Sequence, residues 1–174
     1  MYKEGDTIQL FKDIILPFQD INALFRFIYP NLSANSDPQY LVERAILAPK
    51  NEHVNAINAA IMAQLAGKAV EYLSADTVES PMDSEHHLPF TFKRRQFPVQ
   101  PAFAMTINKS QEQTLNWVGL YLPTPVFSHR QLYIACSRVI SKKNLKVLIS
   151  KRQGENDASC IDYTRNIVYP EVFQ

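Results

Sequence analysis

The chain has 174 residues, 46% of them apolar, and this length and composition suit one globular domain spanning residues 1–174. At this size, folding buries roughly 70% of the surface of the unfolded chain. The net charge is only +1, which excludes a global basic field, so any binding of nucleic acid has to come from a local patch.

The number of cysteines, the spacing of the histidines and the length of the apolar runs exclude further classes of protein. Cys136 and Cys160 are too few for a disulfide framework, and the four histidines lack the paired spacing of structural zinc, so we expect no metal site. No apolar run approaches the ~18 residues of a membrane span, and the first residues form no signal peptide. These features predict an intracellular chain with no membrane partner.

The first half of the chain alternates helical and strand patterns. Asp20 is placed to cap a helix that ends before Pro30, and the apolar run 45–48 predicts a buried strand. A second helix is expected from N-cap Asn51 to the C-cap glycine Gly67, followed by a strand at 70–74. Strand, helix and strand at this spacing form a βαβ unit and hence a parallel sheet.

The second half repeats the alternation. Apolar runs predict strands at 101–106, 117–121 and 145–149. Ser110 and Ser128 each begin an S-x-x-Q pattern, which is the capping box that starts a helix. The expected fold class is α/β, with a mainly parallel sheet flanked by helices, and residues 151–174 form a tail beyond it.

The segment around Lys109 predicts an anion site. A strand, a polar turn and a helix start would place free backbone N–H groups and the Lys109 ammonium at one spot. The plainer interpretation is an ordinary capped helix with a solvated lysine.

Lys93, Arg94 and Arg95 form a basic triplet among Phe90, Phe92 and Phe97. The triplet is either a solvated charge run beside an edge strand or a groove that binds phosphates and stacks bases.

Two segments carry a resemblance to a known family. The segment Ala104-Met105-Thr106-Ile107-Asn108-Lys109-Ser110-Gln111 with Gln113-Thr114-Leu115, and the segment Tyr133-Ile134-Ala135-Cys136-Ser137-Arg138-Val139, resemble motifs five and six of superfamily-one DNA helicases. The similarity is to the 5′→3′ branch, namely the petite-integration-frequency helicases and the helicases of Helitron transposons. It implies the second, C-terminal RecA-like lobe of a P-loop NTPase, with a core at about 41–150. It also implies nuclear roles in DNA repair, recombination and telomere maintenance.

The resemblance also implies roles for individual residues. Arg138 would be the arginine finger and Gln111 a second catalytic residue, and both would contact the nucleotide together with Lys109 and Ser110. Thr106 and Asn108 would bind single-stranded DNA, as would the basic triplet. The cofactors of the intact family are ATP and Mg²⁺, and the partners are single-stranded DNA and an N-terminal ATP-binding lobe. We expect Lys109 and Arg138 on one face, at the carboxyl ends of strands. The alternative is that these are plain polar loop residues and a structural arginine.

The chain departs from the family pattern in three ways. Its glycines form no P-loop, which needs glycine, four residues and then Gly-Lys-Ser/Thr. The accessory insertion expected near 77–87 is missing, because Asp76 reaches Leu88 in a dozen residues. Glu112 and Arg130 replace two family glycines.

We therefore expect a helicase fragment that binds no nucleotide tightly, is inactive alone and binds single-stranded DNA weakly. The alternatives are a non-catalytic nucleic-acid-binding module and an inactive transposon remnant.

Overall fold

The structure is a computed structural model of the 174-residue chain. It describes residues 7–16, 20–35, 37–65, 67–68, 70–79, 91–97, 99–149 and 163–169. For residues 78, 79, 91 and 92 only the backbone is described.

The described residues form twelve α-helices and β-strands besides four short 3₁₀ helices. In chain order they are β1 Thr7–Gln9, α1 Ile21–Ile28, α2 Pro38–Val42, β2 Arg44–Ala48, α3 Asn51–Met62, β3 Ala75–Glu79, β4 Thr91–Arg95, β5 Ala104–Thr106, β6 Trp117–Leu122, α4 Gln131–Ser137, β7 Leu145–Ile149 and β8 Tyr163–Arg165. The 3₁₀ helices are Lys12–Ile14, Leu32–Ala34, Ile107–Ser110 and Lys142–Asn144.

The chain divides into two compact units. The first contains residues 1–65 and 101–174, and the second contains residues 66–100. The first unit holds a four-stranded parallel sheet with the order β5-β2-β6-β7. The short strands β1 and β8 pair antiparallel in a sheet of their own. This architecture confirms the predicted α/β class with a mainly parallel sheet.

The parallel sheet is buried on both faces. Along β2, Ala45 and Leu47 pack into one apolar cluster, and Ile46 and Ala48 pack into the other. All four are fully buried, which is why a continuous apolar run marks this strand in the sequence. Each buried leucine or isoleucine side chain stabilises the fold by roughly 1.5–3 kcal/mol.

Helices cover the two faces in different pairs. The helices α1 and α3 pack with the cluster that contains Ile46, while α4 and the 3₁₀ helix 107–110 pack with the cluster that contains Leu47. Asp20 caps α1, because its Oδ1 accepts a hydrogen bond from Asn22 N at 2.8 Å, as the sequence predicts.

Gly119 in β6 lets α1 approach the sheet closely. A Cβ added at Gly119 would lie 2.9 Å from Ile28 Cγ1 and 3.1 Å from Leu24 Cδ1. Glycine is thus required here by the packing of the helix and not by its backbone angles.

Four predictions of elements or boundaries need correction. The strand predicted at 101–106 begins only at Ala104. The strand at 70–74 is absent, and the neighbour that follows β2 through α3 is instead β5. The helix α3 begins at Asn51 with Lys50 as its N-cap, one residue earlier than predicted. It ends at Met62 with Ala63 as its C-cap, so Gly67 does not cap it.

The second unit contains a two-stranded antiparallel sheet. The strand β3 pairs with β4, with Asp76 opposite Arg94 and Thr77 opposite Lys93. The acidic, polar composition of residues 75–87 predicts a loop, but this stretch begins with the strand β3. Phe90 and the rest of 80–90 lie outside the described residues, as do Cys160 and residues 151–162 and 170–174 of the predicted tail.

Candidate nucleotide and nucleic-acid site

Asn58 of α3 positions the strand that leads into the first motif segment. Its Oδ1 accepts a hydrogen bond from Ala104 N at 2.8 Å, and its Nδ2 donates to Ala104 O and to Pro101 O, each at 3.1 Å. Because β5 is an edge strand, these bonds satisfy backbone groups of Ala104 that no further strand could pair. The role of Asn58 is not predicted from the sequence. A polar residue inside an otherwise apolar helical stripe was the available signal.

Thr106 ends β5, and the 3₁₀ helix 107–110 follows it directly. Asn108 and Lys109 are exposed on this helix, and Gln111 is exposed just beyond it. Ser110 is fully buried, and its Oγ donates to Ile107 O at 2.7 Å. In this arrangement the Ser110 hydroxyl shapes the turn and does not face a ligand.

The predicted helix after Ser110 does not form. Glu112 has a φ of +67°, and a right-handed helix cannot continue through a left-handed residue. Ser110 also turns its hydroxyl back to Ile107 O instead of capping the residues that follow. The predicted capping box at Ser110 and Gln113 is therefore wrong, and residues 111–115 cross to β6 without a helix.

The second predicted capping box is also wrong in its detail. The helix α4 begins at Gln131, and its N-cap is Arg130 in the left-handed conformation with a φ of +57°. Arg130 N donates to Ile167 O at 2.9 Å, which holds the C-terminal segment against this turn. Ser128 makes no side-chain cap.

Gln131 instead joins the start of α4, the helix that carries most of the second motif segment, to the first motif segment. Its side chain is 1% exposed, its Oε1 accepts from Phe127 N at 3.1 Å, and its Nε2 donates to Asn108 Oδ1 at 3.5 Å. The first bond fixes the loop before α4, and the second reaches the 3₁₀ helix 107–110. Sequence reasoning treated Gln131 as a capping residue and missed this contact.

Arg138 fastens the last turn of α4 to the segment that follows Gln111. Its Nε donates to Ile134 O at 3.1 Å, its Nη1 to Gln113 O at 3.1 Å and its Nη2 to Ser137 Oγ at 3.0 Å. These bonds use three of the five N–H donors of the guanidinium. Arg138 is half-buried, so the remaining donors can still meet an anion from solvent.

Lys109 and Arg138 share one face of the sheet, because the 3₁₀ helix 107–110 and α4 pack together over the same apolar cluster. They do not share one end. Lys109 follows the carboxyl end of β5, whereas Arg138 O accepts from Leu115 N at 2.8 Å, two residues before β6 begins. The prediction that both lie at carboxyl ends is wrong for Arg138, because α4 runs back along the strands from its start beside Asn108.

The predicted basic triplet lies in the second unit, on β4. All three side chains are exposed, and Arg94 forms an ion pair with Asp76 in which Nε to Oδ1 is 3.1 Å. This pair raises the pKa of Arg94 through its hydrogen bond with Asp76. Lys93 and Arg95 lie on the opposite face of the ribbon from Arg94, since side chains alternate along a strand.

One thiol lies beside the motif residues. Cys136 in α4 is unpaired and half-buried, and burial raises the pKa of its thiol from 9.0 to about 11. A thiol in this state is a weak nucleophile. Among the described residues no cluster of three or more histidine, cysteine or acidic side chains could hold a metal. No helix among these residues has the length and apolarity to cross a membrane.

Comparison with known proteins identifies the relatives. No family profile matches the chain. It is 38% identical over 78 residues to the ATP-dependent DNA helicase PIF1 of Emericella nidulans, covering 44% of this chain and 10% of that protein. It is 47% identical over 55 residues to the human ATP-dependent DNA helicase PIF1, covering 32% of this chain and 8% of that protein.

A solved structure extends the likeness to the fold. The Pif1 helicase of Candida albicans matches with a TM-score of 0.52 and 17% identity, over 88% of this chain and 55% of that chain. The chain resembles the Pif1 DNA helicases in sequence and shares their RecA-like fold. This confirms the resemblance derived from the sequence. The matched segments span a tenth or less of the curated Pif1 helicases.

Proposed function

We propose that this chain is the C-terminal RecA-like lobe of a Pif1-type ATP-dependent DNA helicase, carrying its fifth and sixth motifs. The main support is that the two motif segments are packed together. Asn108 contacts Gln131 at 3.5 Å, and Gln113 O accepts from Arg138 at 3.1 Å. A lobe that couples DNA to ATP needs such a link, because motion at one segment then moves the other.

The nucleotide side of the proposal rests on Lys109, Gln111 and Arg138. Lys109 and Gln111 are exposed, and Arg138 keeps two of its five N–H donors outside its three bonds. Arg138 would stabilise charge on the terminal phosphate, and Gln111 would act beside it. Ser110 would contribute by holding the turn. ATP and Mg²⁺ would bind mainly to a separate P-loop lobe, so the 174 residues alone would bind neither tightly.

The DNA side rests on Thr106, the last residue of β5, and on Asn108, the second residue of the 3₁₀ helix that follows. A hydroxyl and an amide at this position can donate to backbone phosphates without reading sequence. An intracellular, nuclear location follows from this proposal, because the target is DNA.

The proposal also covers domain organisation. Residues 41–150 would form the core of the lobe, and the accessory barrel near 77–87 would be missing from this chain.

The test is a fusion of the P-loop lobe of the Emericella nidulans helicase to the amino terminus of the full chain. The unfused chain should release no phosphate above background, with or without single-stranded DNA. The fusion should hydrolyse ATP, and Arg138→Lys should lower kcat by about 10³-fold or more, which is the order found for arginine fingers.

The Arg138→Lys substitution keeps a positive charge at this position. The melting temperature of the variant shows whether its fold is intact. Arg26→Ala is the matched control, since Arg26 is an exposed arginine on α1. A fusion whose turnover is the same with lysine at 138 contradicts the proposal, and so does an unfused chain whose turnover requires Arg138.

The second candidate is a non-catalytic module that binds single-stranded DNA through the second unit. Tyr72 and Phe97 form an edge-on pair with ring centroids 5.2 Å apart, and they are 70% and 66% exposed. They line a cavity of about 640 Å³ together with residues 74, 96 and 99. Exposed aromatic rings beside exposed cations are the elements of a base-stacking surface.

Anisotropy of a labelled oligonucleotide at several salt concentrations tests this candidate. The triple alanine variant at Lys93, Arg94 and Arg95 should bind with a salt slope reduced by about 1.4 to 2.1, since each phosphate contact adds about 0.7. The lower figure applies if Arg94 keeps its ion pair with Asp76 and contacts no phosphate. Equal slopes for both proteins reject the second unit as the DNA-binding surface.

A further inference from the structure

A lysine cluster lies at the β7 edge of the parallel sheet, outside both motif segments, and Lys142 follows Val139, the last residue of the second segment, by three residues. It consists of Lys12 and Lys146 with the pair Lys142 and Lys143, and it surrounds Asp13. The Nζ of Lys142 is 2.9 Å from Asp13 Oδ2, and the Nζ of Lys146 donates to Asp13 O at 2.6 Å. These contacts hold two chain segments, 11–16 and 142–147, side by side.

The backbone reinforces this arrangement. Leu16 N donates to Val147 O at 2.9 Å, and Ile15 forms a parallel bridge with Val147. Backbone contacts to a buried sheet strand therefore fix the position of the cluster. Its position does not depend only on contacts between long, flexible side chains.

The charge of the cluster is concentrated. Four lysines and one aspartate give a net charge of +3, whereas the whole chain carries +1, so all other residues together carry −2. Lys142 and Lys146 hold the pKa of the Asp13 carboxyl below its ordinary value, so that carboxylate is ionised and already paired at neutral pH. Lys12 and Lys143 are exposed.

Phe11 adds an aromatic surface to the same place. The Lys142 Nζ lies 3.9 Å from the centroid of its ring, yet the residue remains 68% exposed. An exposed phenylalanine beside ammonium groups offers a face on which a base can stack while its phosphates meet the lysines. Base-paired DNA has no such free base.

We propose that Phe11 with Lys12, Lys142 and Lys143 binds single-stranded DNA, as a contact separate from the motif segments. The sheet order places three strand spacings, about 14 Å, between this edge and β5, where the first motif segment begins. This contact extends the proposed function, and it can exist without any ATP hydrolysis.

The first test measures the salt dependence of binding to a labelled oligothymidylate by the full chain. The variant Lys12→Ala/Lys143→Ala removes two exposed charges and leaves the Lys142–Asp13 pair intact, so the salt slope should fall by about 1.4. The control Arg26→Ala/Lys68→Ala removes the same charge elsewhere and should leave the slope unchanged. Equal slopes for the first variant and the native chain overturn the proposal.

The second test concerns the ring. Phe11→Leu keeps an apolar side chain without a π-face and should weaken binding by about 5- to 150-fold. Phe11→Trp should bind at least as well as the native chain, and its added fluorescence should be quenched by the oligonucleotide. Unchanged affinity with leucine, or equal affinity for a duplex of the same length, overturns the stacking contact.

The variant Thr106→Ala/Asn108→Ala separates this inference from the proposed function. Loss of binding only in that variant leaves the proposed lobe intact and rejects the lysine cluster. Loss only in the Lys12→Ala/Lys143→Ala variant supports the cluster and counts against the motif contacts.

Discussion

Replacing Glu112 by glycine should stabilise the protein. Glu112 is exposed and has a φ of +67°, a conformation in which a side chain crowds the backbone. The left-handed conformation costs a residue with a Cβ about 1–2 kcal/mol. Glycine avoids that cost, but it lowers the stability of the fold by about 0.5–1 kcal/mol relative to alanine, because the unfolded chain has more conformational entropy at a glycine. The difference leaves a net gain of roughly 0.5–1 kcal/mol for Glu112→Gly.

The measurement is thermal unfolding followed by circular dichroism. In a chain of this length, each kcal/mol shifts Tm by about 2–4 °C, so Glu112→Gly should raise Tm by about 2 °C. Glu112→Ala removes the same charge and keeps the Cβ, so it should give no such gain. Asparagine tolerates positive φ, and Glu112→Asn should fall between the two.

The test is the order of the Tm values of the three variants. If alanine raises Tm as much as glycine does, the gain comes from loss of the carboxylate and the strain argument is refuted. A lower Tm with glycine would contradict the left-handed conformation of this turn.

Three further changes follow from the packing. Gln131→Ala should lower the free energy of unfolding by about 1–3 kcal/mol in urea titrations, because Phe127 N loses its buried acceptor. The control Gln64→Ala, at an exposed position, should change the free energy of unfolding little. Equal effects of the two substitutions would contradict the role of Gln131. Gly119→Ala should cost about 1–3 kcal/mol, because the new Cβ would overlap α1; an unchanged stability would contradict that close approach. In a Cys160→Ser background, Cys136 should react with a disulfide reagent about 100-fold more slowly at pH 8 than the unfolded chain does, because burial raises its pKa from 9.0 to about 11. The stability that the protonated thiol contributes should be complete below about pH 9 and lost as the pH rises through 11, and a native rate equal to the unfolded rate would contradict both expectations.

The strands that the sequence predicts correctly are those buried on both faces. The runs at 45–48, 117–121 and 145–149 match β2, β6 and β7 to within one residue. A strand covered by helices on both sides has no polar alternation, so apolar composition alone marks it. The same rule fails at 70–74, where Val70, Tyr72 and Leu73 are 68–85% exposed.

The wrong βαβ assignment has a topological cause. After α3 the chain enters the compact unit 66–100 and only then returns to the sheet as β5, beside β2. Local periodicity describes a dozen residues at a time. It therefore assigned the next apolar run to the sheet, although the true neighbour of β2 lies about thirty residues further along the chain.

The roles of the candidate side chains stay predictions, but the structure shows where their segments lie. Lys109, Gln111 and Arg138 were chosen from a resemblance, and the structure brings their segments together on one face of the sheet. The residues that make those contacts, Gln131 and Asn58, act through burial and hydrogen bonds between distant segments. A polar position in the apolar stripe of α3 marks Asn58, but no pattern in neighbouring positions indicates the bond between Gln131 and Asn108.

Both predicted capping boxes failed at positions where the family pattern has glycine. Only three non-glycine residues of the described part have positive φ, namely Asn31, Glu112 and Arg130. Asparagine tolerates this conformation, but glutamate and arginine are rarely found in it. Positions 112 and 130 are those at which the resemblance to the helicases predicts glycine. Glycine adopts the left-handed conformation of both positions without strain. The strain at Glu112 and Arg130 follows from that backbone path, and each turn lies directly beside a motif segment.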